Sequence, residues 1–129
     1  RTLHSKTLSD LKLWGVALSR LQSVPAYNIA YTVITNDDIA ATMSDEEAMA
    51  GLPEFVSSLP GFAAILVLRE DGSGTVRGNL RTIRDDIDVG ALARLLGGGG
   101  HAKAAGFAFP GRLVATESGW QVENKAIPS

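Results

Sequence analysis

The sequence predicts an α/β (α+β) domain: a mixed β-sheet of about four to five strands flanked by helices, with a glycine-rich loop between a helix and the closing strand. Three observations carry this. Segments with apolar residues at helical spacing alternate with segments of strand-like pattern. Phe62 to Leu68 is a continuous apolar run, short enough for a strand buried on both faces, and Asp71-Gly72-Ser73-Gly74 supplies hairpin turn chemistry after it. Four consecutive glycines, Gly97 to Gly100, stand between a helical pattern and a small apolar strand.

In chain order, Ser9-Asp10 can open a helix running to Leu21, with Leu8, Leu11, Trp14, Leu18 and Leu21 as one apolar stripe. Ser23 and Pro25 end it. Tyr27, Ile29, Tyr31 and Val33 alternate with smaller or more polar neighbours, so Ala26 to Thr35 reads as a strand. Asn36-Asp37-Asp38 is a turn or helix start. Ser44 with Glu47 matches a capping box, and Pro53 can begin a helical piece reaching Leu59. After the Phe62 run, Thr75 to Thr82 returns as its hairpin partner. Asp88 caps a helix from Val89 to Leu96, with Leu92, Leu95 and Leu96 towards the core. Ala104 to Phe109 is the closing strand, stopped by Pro110-Gly111. From Arg112 to Ser129 only Trp120-Gln121-Val122-Glu123 carries a weak strand signal, and the fold of this tail is left open.

A chain of 129 residues suits one compact domain. With 45% hydrophobic and 20% charged residues it is composed to fold, not to remain disordered. The absence of cysteine removes disulfides, thiolate metal sites and cysteine nucleophiles, and fits a reducing cytoplasm. No apolar run approaches the roughly 18 residues that span a bilayer, so no membrane role is expected. Arg1-Thr2-Leu3-His4 leads into no signal-peptide h-region. Without an initiator methionine, the chain reads as a piece of a longer one.

The net charge of −2 argues against a generic nucleic-acid coat. Its distribution says more. Asp37 to Asp71 holds eight acids against one base, Arg69, whereas Arg77 to Arg112 holds six bases against three acids. The basic half is also the glycine half, which would give a locally positive site on an acidic protein; the plainer alternative is solvated surface charge.

Glycine gives up more backbone freedom on folding than any other residue, so four in a row need a reason. Successive glycine amides can curl into a nest for an anion, with His101 and Lys103 as donors at its rim. The other reading closes the preceding helix with Gly97 and makes the rest a connector. On Thr75 to Thr82, alternation places Arg77, Asn79 and Arg81 on one face. Guanidinium groups suit bidentate phosphate contact, and Asn79 and Thr82 suit base or sugar edges. A polar outer face of an edge hairpin would look the same.

Catalytic machinery is thin. His4 and His101 are the only histidines, which is too few for a hydrolytic metal centre. There is no Gly-x-Ser-x-Gly elbow, no Walker loop and no strand entering the glycine run as a dinucleotide fold requires. No catalytic residue is assigned.

Gly97-Gly98-Gly99-Gly100-His101 with Ala104-Ala105-Gly106-Phe107 resembles the Gly-Gly-Gly-His…Ala-Ala-Gly signature of the DHH-associated C-terminal domain of DHH phosphoesterases. That family includes RecJ-type exonucleases, nano-RNases with bisphosphonucleotide phosphatase activity and cyclic-di-AMP phosphodiesterases. Leu66 to Glu70, Val76 to Thr82 with Leu80-Arg81-Thr82, and Asp88 to Leu96 look like the family's hairpin and the helix entering its glycine loop. The segment from the first helix through Ile29 to Thr35 looks like the stretch joining two domains, with residues 1–25 as interdomain helix or linker.

The resemblance implies a substrate-binding domain. It would bind a nucleotide, dinucleotide or short oligonucleotide through Arg81, His101 and the backbone of Gly98, Gly99 and Gly100. Arg77, Asn79, Thr82 and Lys103 join that set from spacing and charge. A separate DHH domain would hold two manganese ions on an Asp-His-His motif, which this chain lacks; no metal is expected here. A homodimer is also compatible with the resemblance. The alternative class is a stand-alone single-stranded nucleic-acid-binding or protein-interaction module. Eight aromatic residues, none between Phe62 and Phe107, speak against a long stacking platform.

Overall fold

The computed structural model describes residues 7–123. Its elements are α1 (Leu8–Ser19), β1 (Gln22–Val24), β2 (Ile29–Ile34), α2 (Asn36–Ala41), a 3-10 helix (Glu46–Met49) and α3 (Leu52–Ser57). Then follow β3 (Ala64–Glu70), β4 (Thr75–Arg81), α4 (Val89–Leu95), β5 (Gly99–Gly100), β6 (Ala104–Pro110), β7 (Arg112–Thr116) and β8 (Gly119–Glu123). His4, the first residues of the expected linker and the last six of the tail lie outside the described residues.

Six strands form one mixed sheet in the order β1-β2-β3-β4-β6-β5, and β7-β8 form a separate hairpin. β2 and β3 are parallel, joined by the crossover through α2 and α3; the other pairs are antiparallel. The sheet exceeds the expected strand count because β1 and β5 span three and two residues. That is too short for alternation to be read.

On one face, Ile65 and Val67 pack with Leu13, Trp14, Ala17, Leu52 and Val56 from α1 and α3. On the other, Leu80, Ala105 and Phe107 pack with Val89 and Ala93 of α4, and Val33 and Val76 pack with Leu113 of β7. The hairpin tail is therefore part of the core, its signal in the sequence hidden by small and polar residues. Glu70 fixes it in place, accepting from the backbone N–H of Leu113 at 2.9 Å and of Asn36 at 2.8 Å.

Three local expectations are corrected. In α1 the buried face is Asp10, Leu13, Trp14 and Ala17, while Leu8 and Leu11 are 69% and 54% exposed. Thr7, not Ser9, caps the helix through a capping box with Asp10, and this sets the rotation. The stripe counted leucines, but the sheet selects Ala17, whose carbonyl accepts from the Thr32 hydroxyl, and Trp14, whose Nε1 donates to the Ala48 carbonyl at 2.7 Å. Asp45 caps the 3-10 helix in place of Ser44. In α4, Ala93 faces the core and Leu95 is 84% exposed, because a residue two on from Ala93 lies about 200° round the helix, on the opposite side.

A buried polar tie holds α1, β2 and α2 together. Arg20 donates to Asp38 through Nη2 at 2.8 Å and to the Val33 carbonyl at 3.1 Å, and Asp38 also accepts from the Thr35 backbone at 2.7 Å. Burial alone would raise the Asp38 carboxyl, but the bonds from Arg20 and Thr35 outweigh it and hold the group below its ordinary value. A depressed folded value stabilises the fold above the unfolded carboxylate pKa of about 4 and ceases to do so as pH falls through the folded value. Asp38→Asn should thus cost about 1–3 kcal/mol at neutral pH. In urea melts that deficit should shrink as the pH falls below 4, where the parent also loses its charge; a pH-independent deficit would contradict this origin.

Candidate ligand groove

The helices before β3 cover β2 and β3 and reach β4 through α3, leaving the β6-β5 side of that face open. What this face carries follows from register. Arg77 lies opposite Arg69 on β3 and Ala108 on β6; Asn79 lies opposite Val67 and Gly106; Arg81 lies opposite Ile65 and Ala104. Gly106 in turn pairs with Gly99. Alternation is clean in β4, where Val76, Gly78 and Leu80 are buried and Arg77, Asn79 and Arg81 point to the other face.

Two adjoining clefts mark this face. One, of about 230 Å³, lies between α3 and the sheet and is lined by Met49, Glu54, Val67, Arg69, Asn79 and Arg81, among others. The other, of about 280 Å³, runs over Arg69, Arg77, Asn79, Gly106 and Ala108. Arg69 and Asn79 belong to both, so the two form one groove with three guanidinium groups, one amide and a floor of bare backbone at Gly106. Like charges directly opposite on a sheet repel, so the Arg69–Arg77 pair is a cost that the fold itself does not require. Asp71 offsets it, bonding Arg77 Nε at 2.7 Å. Ser73 holds Asp71 with its hydroxyl and amide, and these bonds, then Arg77, keep the carboxyl well below its usual range.

The glycine run is rigidly held. Gly97, at φ +85°, and Gly98 donate to the carbonyls of Arg94 and Ala93, the Schellman closure of α4. His101 and Ala104 exchange backbone bonds around Ala102-Lys103, and Val89 donates to the Ala102 carbonyl at 2.8 Å. A Cβ on Gly98 would stand 2.7 Å from Phe107 Cα, and one on Gly100 2.6 Å from Ala105 Cα; at Gly99 it would meet nothing. The amides of Gly97, Gly98 and His101 are therefore engaged within the fold, and the run is not a nest of free donors. Gly98 and Gly100 let β5 close on β6. Gly99 leaves its part of the open face bare.

The other predicted residues separate into groups. His101 is exposed at the end of β5, beside Ala104, which pairs with Arg81; its side chain lines neither cleft. Lys103 pairs with Asp85 at 2.6 Å on the β5-β6 turn, outside the groove. Thr82 is buried behind the sheet face, donating to the Ala63 carbonyl at 2.6 Å and accepting from Arg84 N–H, so its hydroxyl is already engaged. Arg69, Gly106 and Glu54 belong to the groove without having been predicted. The hairpin turn at Asp71 to Gly74, counted back, would have placed Arg69 opposite Arg77. Nothing in the sequence marks Glu54.

A larger cleft, about 640 Å³, lies at the far end of the sheet among Arg20, Asp37, Gly74, Arg112 and Trp120. Its two arginines are paired, with Asp38 and Glu123, and Arg20 stacks on Trp120 at 4.9 Å. Among the described residues no three His, Asp or Glu side chains stand where they could hold a metal ion, and no helix is long and apolar enough to cross a membrane.

Fold and groove define a mixed-sheet α+β domain with an arginine-lined face. The chain belongs to the DHHA1 domain family, whose model matches residues 26–123. Its fold is similar to that of an exopolyphosphatase-related protein from Bacteroides fragilis, at 25% identity and a TM-score of 0.75 over 83% of this chain and 31% of that one. It is also similar to the pGpG-specific phosphodiesterase PggH from Vibrio cholerae, at 13% identity and a TM-score of 0.50 over 79% of this chain and 33% of that one. The chain thus spans about a third of either protein. No curated protein sequence matches it.

The glycines should separate by role in equilibrium urea melts. Gly98→Ala and Gly100→Ala should each lose about 1–3 kcal/mol or more from overpacking against β6. Gly99→Ala should stay within about 0.5 kcal/mol of the parent. Equal losses at all three would contradict the assignment.

Proposed function

We propose that the groove binds the phosphate-bearing backbone of a short oligonucleotide, dinucleotide or 3′,5′-bisphosphonucleotide, as the substrate-holding domain of a DHH-type phosphoesterase. One observation carries the reading: Arg69, Arg77, Arg81 and Asn79 line one groove that runs from the edge of α3 across the open side of the sheet. Arginine matches phosphate oxygens in pairs, and the bare floor at Gly99 and Gly106 gives a flat ligand close approach. Membership of the DHHA1 family supports it, as does the exopolyphosphatase-related description of the Bacteroides relative.

In this reading the chain grips and orients. The chemistry would belong to a partner DHH domain, whose manganese ions would supply the activation of water. Held orientation is itself worth several kcal/mol of barrier, on the order of 7–11 at best. The groove's extent fits a short ligand, and Arg77 and Arg81 are fixed by carboxylates before the ligand arrives. His101, at the open end beside the Arg81 strand pair, would meet the ligand as it leaves the groove towards the catalytic partner. Such a function, in a chain without cysteine, suits a reducing cytoplasm.

Calorimetric titration with pApA and with 3′,5′-bisphosphoadenosine tests this. Arg81→Ala should weaken binding about 10- to 100-fold, the worth of a charged hydrogen bond, with His101→Ala weaker in the same direction and both folds intact by thermal melting. Unchanged affinity in both variants would overturn the assignment. An affinity that kept rising with each nucleotide beyond about four would favour a single-strand-binding module instead.

A further inference from the structure

The two carboxylates that hold Arg77 and Arg81 differ in kind. Asp71 lies in the hairpin turn with its side chain only 8% exposed, and Ser73 binds it twice in addition to Arg77. It cannot leave without undoing the turn. Glu54 projects from α3, its side chain 62% exposed, and its Oε2 accepts from Arg81 Nε at 2.8 Å. Arg81 is 20% exposed, and its Nη1 is anchored to the Leu80 carbonyl at 2.9 Å. The guanidinium is thus held at Nη1 by the backbone and at Nε by Glu54, and both side chains line one cleft.

We propose that Glu54 is a displaceable stand-in anion: its carboxylate occupies on Arg81 the position that a ligand phosphate takes, and binding exchanges one for the other. This rests on the assignment of the groove to a phosphate-bearing ligand. An exposed carboxylate pairs weakly with arginine, whereas a phosphate brings more charge and more acceptor oxygens to the same fork. The exchange keeps Arg81 ordered and its charge balanced while the groove is empty. It also sets a threshold, because a neutral ligand gives nothing in return for displacing Glu54. Glu54 thereby reserves Arg81 for a ligand that brings an anion of its own.

The test is calorimetric titration of pApA and the uncharged nucleoside adenosine into the intact chain and four variants. Glu54→Gln should bind pApA about two- to fivefold more tightly, the scale of an exposed ion pair. Glu54→Asp keeps the charge but withdraws it from Nε, and should also bind more tightly than the parent. Glu117→Gln, in the β7-β8 turn far from the groove, should match the parent. Adenosine brings no anion to displace Glu54 and should bind Glu54→Gln as it binds the parent, so the ratio of pApA to adenosine affinity should rise. Unchanged or weaker pApA binding by Glu54→Gln, while Arg81→Ala still loses affinity, would overturn the exchange and leave the groove assignment standing. Tightening by Glu54→Gln with Glu54→Asp at the parent value would reduce the effect to general repulsion and also overturn it. If Arg81→Ala loses nothing, the groove assignment fails and the exchange falls with it.

Discussion

A β-strand must send successive side chains to opposite faces, and in β4 that constraint decides the molecule's character. Val76, Gly78 and Leu80 face the α4 layer, and Gly78 is required there because the Phe107 ring lies where its Cβ would be. The same pleat commits Arg77, Asn79 and Arg81 to the opposite face. Were helices to cover that face, three polar residues would be buried at several kcal/mol each. Helical cover instead stops at β3 and β4, and the uncovered remainder is the groove. Core and site are two sides of one strand.

The glycine run acts through the same sheet. Its positions are not equivalent: Gly97 closes α4, Gly98 and Gly100 admit the close approach of β5 to β6, and Gly99 continues the bare floor begun by Gly106. Four glycines in sequence look like one device, yet three meet packing and backbone demands and one shapes the open face. The run thereby couples the end of a helix to the edge of a binding surface. A residue that relaxed either end would be felt at the other, since Val89 and Ala102 also join α4 to the β5-β6 turn.

What could be read in advance was what short-range physics decides. Asp88 capping α4, the Asp71 to Gly74 turn, the β3-β4 hairpin and the shared face of Arg77, Asn79 and Arg81 depend on period two or on local caps, and each is present. What escaped depends on distant partners. The rotation of α1 was set by Thr7 and by the small Ala17 against Thr32, not by its leucines. β5 and the β7-β8 hairpin gain their register from β6 and from Glu70. In the groove, Arg77, Asn79 and Arg81 were legible because one strand holds them. Arg69 and Glu54 come from β3 and α3, and only the packed sheet brings them there. Thr82 shows the converse: one residue past Arg81 the pleat turns it inward, and its hydroxyl ties to Ala63.

The central claim is that the groove on the open side of the sheet, not the larger cleft by Trp120, receives a phosphate-bearing ligand. Amide chemical-shift mapping during titration of the chain with pApA reads this directly. The account predicts shifts concentrated at Arg69, Asn79, Arg81, Gly99 and Gly106, extending to His101, with Gly74, Arg112 and Trp120 unmoved. Shifts concentrated at Arg112 and Trp120, with the open face silent, would contradict it.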